Sequence, residues 1–564
     1  MARIPMGRLD RLDRRSFLEL SGAGAAALIF GAGPYTGRAA AGPRRPADYP
    51  FKLGVASGDP APDGVVLWTR LAPDPLDTDP ATPGGMSPRP VPVQWEVAED
   101  ERFARVVRRS ATAARPELGH SVHAEVTGLR PGREYFYRFR AAGEISPVGR
   151  TKTAPSGGAD RLRFAFVSCQ QFEHGHFTAY RHLAADDLDV VFHLGDYIYE
   201  YGPDEFLSPT GNIRHHLGPE ITTLADYRLR HAQYRTDPDL RAAHAHAPWV
   251  VTWDDHEVEN NYADHISENA GEDPAAFLRR RAAAYQAYYE NMPLRRASVP
   301  RGPDMQLFRR VGYGSLADFH VLDTRQYRSD QAAGDGNDPP NPEQQDPARS
   351  LTGAAQERWL LNGMTRSRAR WQVIPQQVFF AQRDLAGGAA ERYSMDAWDG
   401  YVGSRDRIMR AIQTRDIRNV VVLTGDVHAS WACELKADWR NPASRTLGVE
   451  LVGTSVTSGG NGSDVRSDTA TILGENPHIK FFNNYRGYVR CTVTRDDLRA
   501  DYRVVPTVTE PGAPVFTRAT FRTAAGRPGL ERIADNPLPT GTGRATRAET
   551  EQTRVKAQGR AAAR

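Results

Sequence analysis

A chain of 564 residues, 40% of them hydrophobic, is long enough to bury one large core and a second, smaller domain. Its formal net charge of +3 is close to balance, which gives no ground for nucleic acid or an anionic membrane as principal partner. Three cysteines, Cys169, Cys433 and Cys491, are too few for a disulfide framework and leave at least one thiol unpaired.

The first element in chain order is an export signal. Asp13-Arg14-Arg15-Ser16-Phe17-Leu18 carries paired arginines, Leu18–Gly33 is a mildly apolar Gly- and Ala-rich run, and Ala39-Ala40-Ala41 offers small residues for cleavage. Residues 1–41 therefore read as a twin-arginine signal peptide. The twin-arginine export machinery is then a partner, and the expected location is secreted, extracellular or cell-wall associated. That route carries folded proteins, so a metal acquired inside the cell is compatible with it. No later run approaches the ~18–20 apolar residues of a membrane span, and a soluble monomer is expected.

Residues 46–155 show short alternating runs at Val65–Trp68, Val91–Val97, Ser121–Val126 and Glu134–Arg140, punctuated by Pro62-Asp63-Gly64 and Arg130-Pro131-Gly132. This pattern predicts a small all-β domain of immunoglobulin or fibronectin type. Thr153–Asp160 is the linker. Residues 160–510 alternate apolar strand-like runs (Phe164–Ser168, Leu188–Leu194, Trp249–Trp253, Phe319–Leu322, Trp371–Val378, Asn419–Thr424) with helical stretches (Phe177–Ala185, Ala275–Glu290, Arg405–Thr414), which predicts an α/β domain. Residues 511–564 lack apolar periodicity and read as an extended, partly disordered tail.

Four of the apolar runs end in residues that bind metals. Phe164–Ser168 delivers Cys169, Val190–Gly195 delivers Asp196, Val250–Trp253 delivers Asp254, Asp255 and His256, and Val420–Gly425 delivers Asp426 and His428. Ligand sites of open α/β sheets lie at the carboxyl ends of strands, so the coincidence points to one site. Gly-Asp at 195–196 and again at 425–426 combines a tight turn with a projecting carboxylate. Tyr199 follows within reach as a hard phenolate donor, and Asp426-x-His428 is a common metal pair. Trp253–Asn261 packs four acids, one His and two amides into nine residues, the composition of a ligand segment with a general acid beside it. His256 reads as functional and His193 as packing. Cys433 and Cys491 read as structural. There is no Gly-x-Ser-x-Gly elbow and no phosphate-cradling Gly-x-x-x-x-Gly-Lys loop.

Phe51–Pro60, Asp63–Arg70, Ser168-Cys169-Gln170, Leu194–Tyr201, Trp253–Asn261, Asp323–Arg328 and Gly425–His428 together resemble the PhoD-type alkaline phosphatase/phosphodiesterase family, over about residues 50–510. The resemblance implies a metallophosphatase domain of sandwiched β-sheets flanked by helices, preceded by an immunoglobulin-like domain. It also implies one Fe³⁺ and two Ca²⁺. Cys169, Asp196 and Tyr199 would hold the iron, with Asp196 bridging, and Asp426, His428 and either Asp255 or Asn260 would complete the cluster. The implied reaction is hydrolysis of phosphate mono- and diesters by a metal-bound hydroxide, with a phosphate ester as substrate; Asp196 and His256 are the candidate catalytic residues, the leaving-group proton coming from His256 or from solvent. Two other readings compete: a secreted phospholipase D-like phosphodiesterase, and a non-catalytic exported binding protein on the same fold.

Overall fold

The computed structural model describes residues 49–538, so the expected signal peptide lies outside the described residues. The N-terminal strand signals become β1 (Val55–Ala61), β2 (Gly64–Arg70), β3 (Val91–Ala98), β4 (Val106–Ala114), β5 (Ser121–Val126), β6 (Glu134–Ala141), β7 (Glu144–Ile145) and β8 (Gly149–Lys152). Strands β3, β4 and β6 to β8 make one sheet, and Val93, Val97, Tyr137 and Phe139 pack from it onto Val55, Val65, Leu67 and Val122 of β1, β2 and β5. The sandwich has one shared layer, however. β1 pairs in parallel with a downstream strand, Ser57 opposite Pro248, so β1, β2 and β5 continue the main sheet of the following region.

That region contributes β9 (Arg161–Val167), β10 (Val190–His193), β11 (Pro248–Val251), β12 (Arg309–Tyr313), β13 (Ala317–Val321), β14 (Asn337–Asp338), β15 (Trp371–Pro375) and β16 (Tyr393–Ser394). Then follow β17 (Val420–Thr424), β18 (Ser430–Lys436), β19 (Thr446–Val452), β20 (Ile479–Asn483), β21 (Arg486–Thr494), β22 (Asp497–Val505), β23 (Phe516–Ala524) and β24 (Arg527–Asp535). A ten-stranded sheet has the order β24-β23-β22-β21-β9-β10-β11-β1-β2-β5, and a seven-stranded sheet the order β12-β13-β15-β17-β19-β18-β20.

Side chains alternate across a strand, and here both faces are buried, which is why the strands read as continuous apolar runs. Phe164 and Phe166 of β9, Phe192 of β10 and Val250 of β11 face the second sheet. Ring centroids of Phe164, Phe192 and Phe319 meet between the sheets at 5.5, 5.4 and 4.5 Å. Ala165, Val191, Trp249 and Val251 point the other way, onto α1 (Thr178–Leu183), α2 (Leu224–Arg235), α3 (Pro238–His246) and α4 (Pro274–Asn291). The outer face of the second sheet is covered by α5 (Gly353–Arg366), α6 (Val402–Thr414) and α7 (Thr469–Glu475), through Leu360, Ile408, Ile412 and Ile472. Two facing sheets flanked by helices, with an all-β N-terminal part, make up the anticipated fold class. No helix among the described residues is long and apolar enough to cross a membrane.

The expectation of an extended, partly disordered tail from 511 is corrected over residues 516–535, which form two paired strands. Strands β23 and β24 close the ten-stranded sheet, with Ala500 of β22 opposite Phe521 of β23. The inward series is Ala519, Phe521 and Thr523, all buried, while Arg522 on the other face pairs with Asp497 at 2.8 Å. A period of two carried mostly by Ala and Thr is faint in sequence. Phe521 packs 5.5 Å from Phe481 and 5.9 Å from Tyr502, between rings of β20 and β22. Phe521→Ala should therefore lower stability by about 3–5 kcal/mol in chemical denaturation, whereas an unchanged midpoint would return these residues to a dispensable tail.

Candidate metal centre

The parallel strands β9, β10 and β11 present their carboxyl ends side by side, and the loops beyond them stay hydrogen-bonded: Cys169 N donates to Gly195 O at 3.1 Å and Gln170 N to Asp196 O at 3.0 Å. Gly195 has φ 113°, and a Cβ there would lie 2.4 Å from Asp254 Cβ, so only glycine lets the β10 and β11 turns touch. A Cβ on Gly425 would lie 2.5 Å from Ser168 Oγ, and its absence brings the end of β17, from the second sheet, against the end of β9. Beyond these contacts Cys169, Asp196, Asp426 and His428 all adopt left-handed backbone, with φ of 58, 56, 63 and 50°. Each such residue costs about 1–3 kcal/mol and persists only where its surroundings enforce it. Enforced strain thus coincides with the predicted ligands.

One donor atom from each of Cys169, Asp196 and His428 lies within 4.8 Å of the others, and the same holds for Asp196, Asp255 and His256. Asp196 belongs to both groups. Tyr199 joins the first: its hydroxyl donates to Asp196 Oδ2 at 2.9 Å and lies 3.3 Å from His428 Nε2 and 2.7 Å from Ser458 Oγ. The remaining oxygens, Asp196 Oδ1 and Asp255 Oδ1, are buried without a hydrogen-bond partner, a costly state that a cation would relieve. Burial, followed by the Asp196 carboxylate, pushes the Cys169 thiol and the Tyr199 phenol well above their ordinary values, and burial likewise raises Asp196. Without a multivalent cation the thiol and the phenol hold their protons; with one they become anionic ligands. Thiolate, phenolate, carboxylate and imidazole suit a hard transition ion, and the Asp196 and Asp255 oxygens suit Ca²⁺, Mg²⁺ or Mn²⁺. The residues present fit metal ions at two adjoining positions.

The other expected site residues fall around this pair. Asp426 and His428 are half-buried and form the open side, and Asp426 belongs to neither close group. Burial, then Arg486 and His256, hold His428 below its usual range, in the neutral form that ligates. His256 Nδ1 lies 2.7 Å from Glu200 Oε2, and its ring stacks on Tyr199 with centroids 4.2 Å apart. Burial alone would lower its pKa, but Glu200, Asp255 and Asp196 raise it well above the ordinary value. Asp255 lies in the cluster. The Asn260 side chain turns to Glu268, with Nδ2 donating to Oε2 at 2.7 Å. His193 is packing: it is fully buried, stacks on Trp249, and is kept neutral by burial, with its pKa lowered to about 3.

Several supporting residues carried no sequence signal of their role. Glu257 accepts backbone N–H bonds from Asp196, Tyr197 and Asp254, at 3.1, 2.5 and 2.8 Å, and so ties the β10 and β11 turns together. Arg325 is fully buried, donates to Asp254 and forms a fork on Asp396 at 2.7 and 2.9 Å; its Nη2 lies 3.6 Å from Asp255. Ser458 bonds both Tyr199 and, at 2.8 Å, Cys169 O. It comes from the neutral run Thr454–Gly460, in which nothing suggests metal chemistry.

Donor groups for two adjoining metal positions, at strand ends of a helix-flanked double sheet, are the device that metal-dependent phosphoesterases use. The chain belongs to the PhoD-like phosphatase family, which it matches over residues 164–502, and it matches the PhoD-like phosphatase N-terminal domain over residues 37–155. It is 59% identical over 495 residues to alkaline phosphatase D of Bacillus subtilis (strain 168), covering 87% of this chain and 84% of that protein. A solved structure of PhoD superimposes with a TM-score of 0.88 at 56% identity, over 92% of this chain and 99% of the other.

Proposed function

We propose that this protein is an exported alkaline phosphatase/phosphodiesterase that uses one ferric and two calcium ions to release phosphate from mono- and diesters. The observation that carries the reading is Asp196, common to both donor groups and left with an unpartnered oxygen in a buried site. Cys169, Tyr199 and Asp196 would hold the iron; Asp426, His428 and Asp255 or Asn260 would complete the cluster. Ions bound there supply an activated water and neutralise charge on the phosphoryl oxygens.

The chain's own residues do the rest. Asp196 fixes the spacing of the two positions. Glu200 orients His256, which gives a proton to the leaving oxygen. The buried wall of Tyr199 and Ser458 excludes water from one side, so the substrate enters past Asp426 and His428. Residues 1–41 supply export by the twin-arginine pathway.

Removal of metal ions by chelation should abolish hydrolysis of both a chromogenic phosphomonoester and a diester, and iron with calcium together, but not calcium alone, should restore it. Undiminished activity in protein shown to be metal-free would overturn the reading. The ratio of the two rates assigns the ester preference, and activity on phosphatidylcholine micelles would move it to the phospholipase D-like alternative.

A further inference from the structure

We propose that Arg383 is the guanidinium that binds the phosphoryl oxygens of the substrate at this centre, an assignment that rests on the phosphoesterase reading of the cluster. The path of the chain puts it there. Strand β15 runs parallel to β17, and their pairing continues past both strand ends, with Gly425 N donating to Gln377 O at 2.9 Å. The segment leaving Gln377 therefore starts beside the turn that carries Asp426 and His428. Arg383 lies further along it, and its side chain folds back over aromatic faces. Its Cζ is 4.2 Å from the centroid of Phe379 and 5.4 Å from that of Trp431. Phe379 lies shortly after Gln377 and Trp431 shortly after His428, and their ring centroids are 5.9 Å apart, so both rings belong to the segments that leave these strand ends.

The guanidinium is held but not used. Arg383 is 9% exposed, yet among the described residues its side-chain N–H groups donate to no protein acceptor; only its backbone N–H is bonded, to Asp399 Oδ2 at 2.9 Å. Other buried arginines differ. Arg325 is forked on Asp396, Arg405 donates to Asp399 at 2.6 Å, and Arg486 donates to Gly460 O at 2.8 Å. The five donors of Arg383, taken up by no protein acceptor among the described residues, are available to an anionic acceptor. A guanidinium kept over ring faces retains its N–H edge for bidentate contact with a phosphate.

The surrounding charge agrees. Arg466, paired with Asp468 at 3.1 Å, also approaches Trp431, with Cζ 5.9 Å from its centroid. Burial and then the Arg466 charge lower the Arg383 pKa, against Asp399 and Asp426. Trp431 thus has two guanidinium groups near it, Arg466 already paired and Arg383 with no side-chain acceptor of its own, so an arriving anion meets Arg383.

The test is Arg383→Met and Arg383→Lys in the metal-replete full chain, with inorganic phosphate as the binding probe. Arg383→Met should lower kcat/KM for a chromogenic monoester about 10²-fold and weaken competitive inhibition by phosphate about tenfold, with iron and calcium content unchanged. Arg383→Lys should fall between, because it keeps the charge and loses the fork. In Arg383→Ala, added guanidinium ion should restore part of the lost activity, a rescue that a merely structural role would not give. Wild-type turnover and phosphate inhibition in Arg383→Met would overturn the assignment. If that variant fails to fold, wild-type phosphate inhibition in Arg383→Lys would overturn it equally. A wild-type protein that neither hydrolyses phosphate esters nor binds phosphate would remove the phosphoesterase reading itself, and this assignment with it.

Discussion

Asp196→Asn is expected to lower phosphate-ester hydrolysis by about 10³-fold or more, the loss that follows when several kcal/mol of metal-ion stabilisation disappear. The geometry makes this change different from the loss of any other candidate donor. Asp196 is shared by the Cys169–His428 group and the Asp255–His256 group, and it also accepts the Tyr199 hydroxyl at 2.9 Å. An amide keeps the size and one acceptor oxygen but cannot supply an anionic bridge, so both positions should lose metal together. Cys169→Ser, which touches only the first group, should deplete iron while sparing much of the calcium. Equal depletion in the two variants, or iron retained in Asp196→Asn, would contradict the bridging role.

Arg325→Met should reduce folding stability by about 3–5 kcal/mol, the magnitude found when one partner of a buried ion network is removed. Three carboxylates depend on this guanidinium: Asp254 on Nε, Asp396 on both Nη atoms and Asp255 at 3.6 Å. Burial pushes Asp255 up, but Arg325 and His256 outweigh it and hold that carboxyl ionised, well below the usual range. Methionine fills a similar length of core without charge, so the acids would be left buried and mutually repelling. The readout is chemical denaturation of the metal-free protein, which separates fold stability from ligand-linked stabilisation. A change of a few tenths of a kcal/mol would show that Arg328, which also donates to Asp396 at 2.6 Å, carries the network alone.

The strand ends were legible because doubly buried strands are uniformly apolar and stop at Gly, Cys or Asp. Residues 164–168, 188–194, 249–253 and 419–424 each mark a strand whose loop reaches the centre. Pairing was not legible, since nothing local states that β1 joins β11 or that β21 lies beside β9. Strand β4 escaped notice because Val106–Ala114 is mostly exposed and carries two arginines, and β23 because its inward residues are largely small. At the site, donor types in Trp253–Asn261 could be read, but not which side chains turn inward. Asp255 enters the cluster, while Glu257 serves the backbone, Glu259 pairs with Arg280 at 2.5 Å, and the Asn260 side chain turns to Glu268. Roles that depend on contacts across the fold, such as Ser458 on Tyr199, leave no trace in the linear chain.

The most direct measurement is elemental analysis of the natively produced protein together with its visible absorption spectrum, compared with Tyr199→Phe. The account predicts iron and calcium bound to the folded wild type, with a phenolate-to-iron charge-transfer band that vanishes in Tyr199→Phe. Absence of bound iron in active protein, or a band unaltered by Tyr199→Phe, would contradict the assignment of Cys169, Asp196 and Tyr199 as its ligands.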